Sequence, residues 1–269
     1  MSFETTNCAS PHELAGEAGH SLRGQIVLVT GGSRGIGLAI CRRLARLHPE
    51  HIVIIYCLDH DAARTAVADM REFGVNASAH CVDVSKEALL REFFADAQTR
   101  FGKLDIFVSN AARASFEPVA ELSARAWQRT VDLNARAFLL GSQLAAPLMQ
   151  NGGRIIGITS LGSRFYTPGY AALGAAKAMI ESMARYLAVE LAPSGINVNV
   201  VCGGLIDTDS TRKLPNFDAV CEQVAARTPA GRIGQPEDIA GVVAFLCTPD
   251  SDWIRGQTII ADGGYSLRI

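Results

Sequence analysis

The sequence predicts an α/β fold: one doubly wound domain with a seven-stranded parallel sheet and helices on both faces. Three observations carry that expectation. Short apolar runs alternate with longer amphipathic segments from Gln25 to Ala261, the pattern of strands buried on both faces and of the helices that cover them. A glycine-rich turn follows the first run directly and opens an amphipathic segment, which is a strand, loop and helix in the order that cradles a phosphate. At 269 residues and 48% hydrophobic content, the chain can bury one large core without dividing.

The first strand is Gln25 to Thr30, and its helix runs from Leu38 to Leu47. Between them stand Gly31, Gly32, Ser33, Arg34, Gly35, Ile36 and Gly37. Glycines let the backbone turn sharply and approach a pyrophosphate, and the helix start offers unpaired N–H groups, as in a Rossmann-like dinucleotide site. The second strand, His51 to Tyr56, ends at Cys57, Leu58, Asp59 and His60, where such a site meets the adenosine ribose. An acid there favours NADH and an arginine favours NADPH. Asp59 lies slightly beyond the usual acidic position and Arg34 can reach a phosphate, so NADPH is preferred, with NADH the alternative.

A helix from Asp61 to Phe73, a strand at Ala77 to Val82, a helix from Lys86 to Phe101 and a strand at Leu104 to Ser109 continue the alternation. Ligands of such sheets gather at the carboxyl ends of the strands. Asp83 and Val84 stand at one end, where Asp83 offers an adenine contact, and Asn110 and Ala111 at the next, where small residues leave room beside a cofactor. A long helix is expected from Ala124 to Met149. Asn134 falls in its interior, where asparagine has poor helix propensity and needs a partner or a purpose.

The strand Arg154 to Thr159 leads to the stretch Ser160 to Lys177, which holds a hydroxyl, the phenols of Tyr166 and Tyr170, and an ammonium. On one helix, Tyr170 and Lys177 face the same way about 10.5 Å apart along the axis. The helix Ala171 to Leu191 and the strand Ile196 to Cys202 follow, and Gly204, Ile206 and Thr208 stand at that strand's end, placed to contact a nicotinamide and its phosphate. From 209 to 233 the alternation lapses, with Pro215, Pro229 and a helix from Phe217 to Ala226, which predicts a movable substrate cover. A helix from Pro236 to Cys247 and a strand from Gln257 to Ala261 complete the sheet.

Composition narrows the function. A net charge of −2 gives no electrostatic argument for nucleic acid or an anionic membrane. The seven cysteines are scattered without a C-x-x-C pair, which predicts buried reduced thiols in a cytoplasmic setting. All six histidines lie at or before His80, so neither a metal cluster nor a Ser-His pair is expected. No stretch reads as a membrane span. Residues 1–22 lack apolar periodicity and read as a mobile tail, leaving 23–269 as the dinucleotide-binding catalytic domain. Trp127 and Trp253 read as packing residues.

These motifs resemble the short-chain dehydrogenase/reductase family, from the Thr30–Gly37 turn through Ser109 to Ala112, Asn134, Ser160 and Lys177 to Asp262, Gly263 and Gly264. The resemblance implies a homotetramer built on two long helices, site roles for Asn134 and Ser160, and a Lys177 that holds the nicotinamide ribose. One departure matters. The family places a tyrosine four residues before the lysine, and that position is Leu173. The phenol stands at Tyr170 instead, in a Y-x6-K spacing that resembles the type III enoyl-acyl-carrier-protein reductases of fatty-acid synthesis.

The resemblance therefore implies NAD(P)H-dependent reduction of the trans-2 double bond of an enoyl thioester on acyl carrier protein or coenzyme A. Hydride goes to Cβ while charge develops on the thioester oxygen, so the donor to that oxygen stands farther from the nicotinamide than in a ketoreductase. Tyr170 is the expected donor, with Lys177 orienting the cofactor and lowering the phenol's pKa, and Tyr166 lining the acyl pocket or sharing the proton transfer. Two alternatives are a ketoreductase of a specialised biosynthetic pathway and a cofactor-binding regulator without turnover.

Overall fold

The computed structural model describes residues 21–113, 116–213 and 216–268. Most of the expected tail, residues 1–20, and Pro215 lie outside the described residues. Leu22, which the sequence assigns to the tail, is buried, and its N–H donates to Leu47 O at 2.8 Å.

Seven parallel strands form one sheet in the order β3-β2-β1-β4-β5-β6-β7. They are β1 (Ile26–Thr30), β2 (His51–Tyr56), β3 (Asn76–Cys81), β4 (Ile106–Ser109), β5 (Gly153–Ser160), β6 (Ile196–Gly203) and β7 (Thr258–Ala261). Successive side chains of a strand point to opposite faces, and β1 shows the consequence. Ile26 and Leu28 join the core on one face, beneath α3 (Glu87–Phe101), α4 (Ala124–Val131), α5 (Ala137–Ala145) and α6 (Ala171–Glu190). Val27 and Val29 join the core on the other, beneath α1 (Gly35–Ala45), α2 (His60–Glu72) and α8 (Pro236–Leu246). Each fully buried aliphatic side chain contributes roughly 1.5–3 kcal/mol. A strand covered on both sides therefore has to be apolar throughout, and β1 is buried at every residue.

β1 pairs with β2 on one side and β4 on the other, so the strand order reverses between β1 and β4. Ligands of doubly wound sheets bind in the crevice outside the carboxyl ends of the strands at that switch point. Gly31 and Asn110 stand at its two edges.

Three expectations need correction. The helix expected from Ala124 to Met149 is interrupted by a π-helical turn, Asp132–Arg136, between α4 and α5. Its side-chain partner is Asn134, whose amide donates to Thr130 O at 2.9 Å, a back-bond that competes with the regular helical ladder. Trp253 is 99% exposed and Trp127 is also exposed, so neither is a core packing residue. Cys57 and Cys81 are exposed rather than buried, whereas Cys41, Cys202 and Cys247 are buried. β2 stops at Tyr56, so Cys57 leaves the sheet. The expected cover contains α7 (Phe217–Arg227).

Candidate active site

The cradle starts at the β1–α1 turn. Gly31 and Gly35 adopt φ +65° and +54°, a left-handed backbone that favours glycine. A Cβ on Gly37 would lie 2.1 Å from Gly31 O, so only glycine lets α1 start this close to the loop. Arg34 is the N-cap of α1 and makes no side-chain cap bond, leaving the first N–H groups of the helix for an anion. The Arg34 guanidinium is exposed and has no partner among the described residues. Ser33 is buried, and Ile36 packs partly against the core.

Asn110 acts as a latch. Its amide donates to Thr30 O and Gly31 O, both at 3.1 Å, while Thr30 Oγ1 accepts from the N–H groups of Asn110 and Ala111, both at 3.0 Å. Thr30 thus helps shape the cradle from the last position of β1. From the far side, Thr208 Cγ2 would stand 3.7 Å from a Cβ built on Gly35, which brings the β6 end over the glycine turn. Thr208 is itself braced by Thr211 Oγ1, which accepts from its N–H at 2.9 Å. Gly204 donates its N–H to Ala261 O at 3.3 Å.

Some expected cofactor residues have structural duties. Ile206 and Val84 bury their side chains in the two cores, so only their backbones can meet a ligand. Asp59 caps α2 by accepting from Ala62 N at 2.9 Å. Asp83 Oδ1 accepts from the N–H and hydroxyl of Ser85 at 3.0 and 2.7 Å.

The reacting groups come together at the carboxyl end of β5. Ser160 closes the strand, the 3₁₀ turn Leu161–Ser163 follows, and Tyr170 is the N-cap residue of α6 rather than a member of the helix. The Ser160 hydroxyl and the Tyr170 phenol are 2.9 Å apart. Tyr170 lies against Gly162, where a Cβ would stand 2.4 Å from the ring. Phe116, from the loop after β4, packs on its other side with ring centroids 5.7 Å apart. The Phe116 loop is itself held by the Glu117 N–H, which donates to Gly169 O at 3.0 Å. Neither Gly162 nor Phe116 is identifiable from the sequence, since one looks like a loop glycine and the other is 54 positions from Tyr170.

Lys177 is 6% exposed and donates to Ile158 O at 2.8 Å. Burial lowers its pKa to about 8. Burial also holds the Tyr170 phenol above its ordinary value, and the Ser160 hydrogen bond opposes that shift. The expected lowering of the phenol by Lys177 is not found; Ser160 is the group that eases it. Tyr170 is consequently a protonated donor at neutral pH. Leu173, at the family's tyrosine position, is 3% exposed and part of the interior. Tyr166 is 90% exposed. Asn134 is buried, and its Oδ1 has no partner among the described residues, an acceptor left over on the π-helical turn. Among the described residues, no cluster of His, Cys, Asp and Glu could hold a metal ion, and no helix is long and apolar enough to cross a membrane.

A family model described as Enoyl-(Acyl carrier protein) reductase matches residues 31–266. The chain is 42% identical over 247 residues to a 1-cyclohexenylcarbonyl-CoA reductase of Streptomyces collinus, covering 91% of this chain and 88% of that one. It is 34% identical over 260 residues to a hydroxynaphthalene reductase-like protein of Metarhizium anisopliae, covering 92% and 97%. Among solved structures, a mutant short-chain dehydrogenase/reductase of Serratia marcescens superposes with a TM-score of 0.86 at 33% identity, covering 92% of this chain and 100% of that one.

Proposed function

Because the chain belongs to the short-chain dehydrogenase/reductase family of oxidoreductases, we propose that it uses NADPH to reduce the trans-2 double bond of an enoyl thioester carried on coenzyme A or acyl carrier protein. The observation that carries this reading is the placement of Tyr170. The phenol is half-buried, protonated and paired with Ser160 at the head of α6, while the position four residues before Lys177 is filled by a core leucine. The name of the Streptomyces relative, which reduces a cyclic unsaturated acyl-CoA, supports the same chemistry.

The residues fit a nicotinamide dinucleotide. The uncapped start of α1 and the left-handed glycines would take the pyrophosphate, Arg34 the 2′-phosphate, Asp83 the adenine, and Lys177 the ribose beside the nicotinamide. When bound, the cofactor supplies hydride to Cβ of the substrate. Tyr170 donates a hydrogen bond to the thioester oxygen as negative charge develops there, Ser160 holds the phenol in place, and a proton from water adds to Cα to complete the saturated thioester. Phe116 shields the phenol from water, and exposed Tyr166 marks the side by which an acyl chain enters. Helix α7, Phe217–Arg227, is the element that would cover it. Unpaired cysteines fit a reducing, cytoplasmic setting, and exposed Trp253, Tyr186 and Val189 fit contacts between copies in a homotetramer.

A second reading, ketone reduction, draws on the same Ser160–Tyr170 pair, which can also polarise a carbonyl oxygen. The test is NADPH and NADH oxidation with crotonyl-coenzyme A, 1-cyclohexenylcarbonyl-coenzyme A and acetoacetyl-coenzyme A. Turnover of the enoyl thioesters alone is expected, and turnover of the keto thioester alone would replace this reading by the second.

A further inference from the structure

Glu181 lies about one helical turn after Lys177 on α6 and is 7% exposed. An ionised carboxylate so buried has to be met by donors. Glu181 Oε1 accepts from Thr159 Oγ1 at 3.2 Å and from Ser163 Oγ at 2.5 Å. Its Oε2 accepts from Arg164 Nε and Nη2 at 3.1 and 3.0 Å. These donors flank Ser160: Thr159 precedes it on β5, and Ser163 and Arg164 lie on the turn that follows. Ser160 O, 2.8 Å from Ser163 Oγ, is the alternative acceptor for the single Ser163 hydroxyl proton. The strand end that carries Ser160, the turn whose Gly162 supports the Tyr170 ring, and the helix headed by Tyr170 therefore meet on one carboxylate.

We infer that Glu181 is a positioning residue for the reaction: its carboxylate anchors the Thr159–Arg164 segment to α6 and thereby sets the register between Ser160, Tyr170 and Lys177. This rests on the proposed reductase chemistry only in needing Ser160 and Tyr170 as the working pair. Arg164 has the subsidiary task of neutralising the buried charge. Its side chain is 40% exposed and that of Glu181 only 8%, so the arginine spans from solvent to an interior acid. A displacement near 1 Å of a reacting group can cost on the order of 100-fold in rate, so an anchor of this kind is visible in turnover before it is visible in binding.

Removing one partner of a buried pair leaves an uncompensated group, whereas replacing both by apolar residues is often tolerated. The informative variants are therefore doubles. Glu181→Leu/Arg164→Leu removes charge and anchor together. Glu181→Gln/Arg164→Leu removes the charges but keeps an oxygen for Thr159 and Ser163.

Each is assayed for single-turnover hydride transfer at saturating NADPH, on whichever thioester the parent turns over, enoyl or keto. Failure of the enoyl reading thus leaves this test intact. NADPH affinity and melting temperature are measured alongside. The Leu/Leu variant is expected to transfer hydride at least about tenfold more slowly with NADPH affinity within about twofold of the parent, and the Gln/Leu variant to recover most of that loss. A Leu/Leu variant as fast as the parent overturns the inference, and so does a Gln/Leu variant as slow as Leu/Leu. If Leu/Leu does not fold, Ser163→Ala decides: a rate several-fold lower at the parent's melting temperature supports the anchor, and an unchanged rate overturns it.

Discussion

The Ser160 hydroxyl and the Tyr170 phenol stand 2.9 Å apart across a ten-residue separation in sequence. The contact forms because β5 ends at Ser160 while α6 starts only after Tyr170, leaving the phenol to swing from the head of the helix back over the strand end. Had the tyrosine occupied the Leu173 position, it would have projected from within the first turns of α6. In this chain the Leu173 position is filled by a buried leucine, and the phenol stands only at Tyr170.

Replacing Tyr170 by Phe removes the donor and keeps the ring that packs between Gly162 and Phe116. Hydride transfer to an enoyl thioester is expected to fall by about 10²–10⁴-fold. NADPH affinity, measured by fluorescence titration, should stay within about twofold because the dinucleotide cradle is built from other elements. Retention of more than a tenth of the parent rate would mean that another group serves the oxygen.

Gly162→Ala tests the same geometry from below. The new methyl would stand 2.4 Å from the Tyr170 ring, so the ring must move, and overpacking of this kind costs about 1–3 kcal/mol. Turnover is expected to drop on the order of 10–100-fold, in line with displacement of a reacting group, with little change in NADPH affinity. A variant crystal structure should show the phenol displaced from Ser160.

The strands were legible because burial on both faces leaves no alternative to an apolar run; β2 matches its expected bounds, His51 to Tyr56. Ser160, Tyr170 and Lys177 were legible because a strand end and a helix start place chemically rare groups close in sequence. Other features leave weaker marks. The π-helical turn at Asn134 is a change of hydrogen-bond register, which composition does not encode. Phe116 meets Tyr170 only through the packing of two loops. Glu181 leaves no mark in the sequence, because its donors Thr159, Ser163 and Arg164 precede it by 22, 18 and 17 residues. Trp253 misled because residue type suggests burial and only the fold decides it.

Lys177 makes stability depend on pH in a definite direction. Its pKa falls from 10.5 to about 8 on burial, so above about pH 8 the unfolded chain binds more protons at this site than the folded one. Stability then rises with pH, by about 1.4 kcal/mol per unit at most, until the unfolded lysine also loses its proton. Below about pH 8 both states are protonated and the dependence vanishes. Urea unfolding of the cofactor-free protein between pH 7 and 10, compared with Lys177→Met, should show wild-type stability gaining on the variant through that window. A constant difference would mean that Lys177 keeps an ordinary pKa.

Arg34 sets the cofactor preference in this reading. Its guanidinium has no partner among the described residues and belongs to the N-cap of α1, which makes no side-chain cap bond, whereas Asp59, the acid expected near a free ribose hydroxyl, already caps α2. An arginine fork suits a phosphate, and a charge-assisted bond of this sort is worth about 1.5–3 kcal/mol. Arg34→Ala should therefore weaken NADPH binding by roughly 10–100-fold and leave NADH binding nearly unchanged, so that the preference narrows or reverses. Equal losses for the two cofactors would assign Arg34 to the pyrophosphate, and no loss for either would move the 2′-phosphate contact elsewhere along the β2 end.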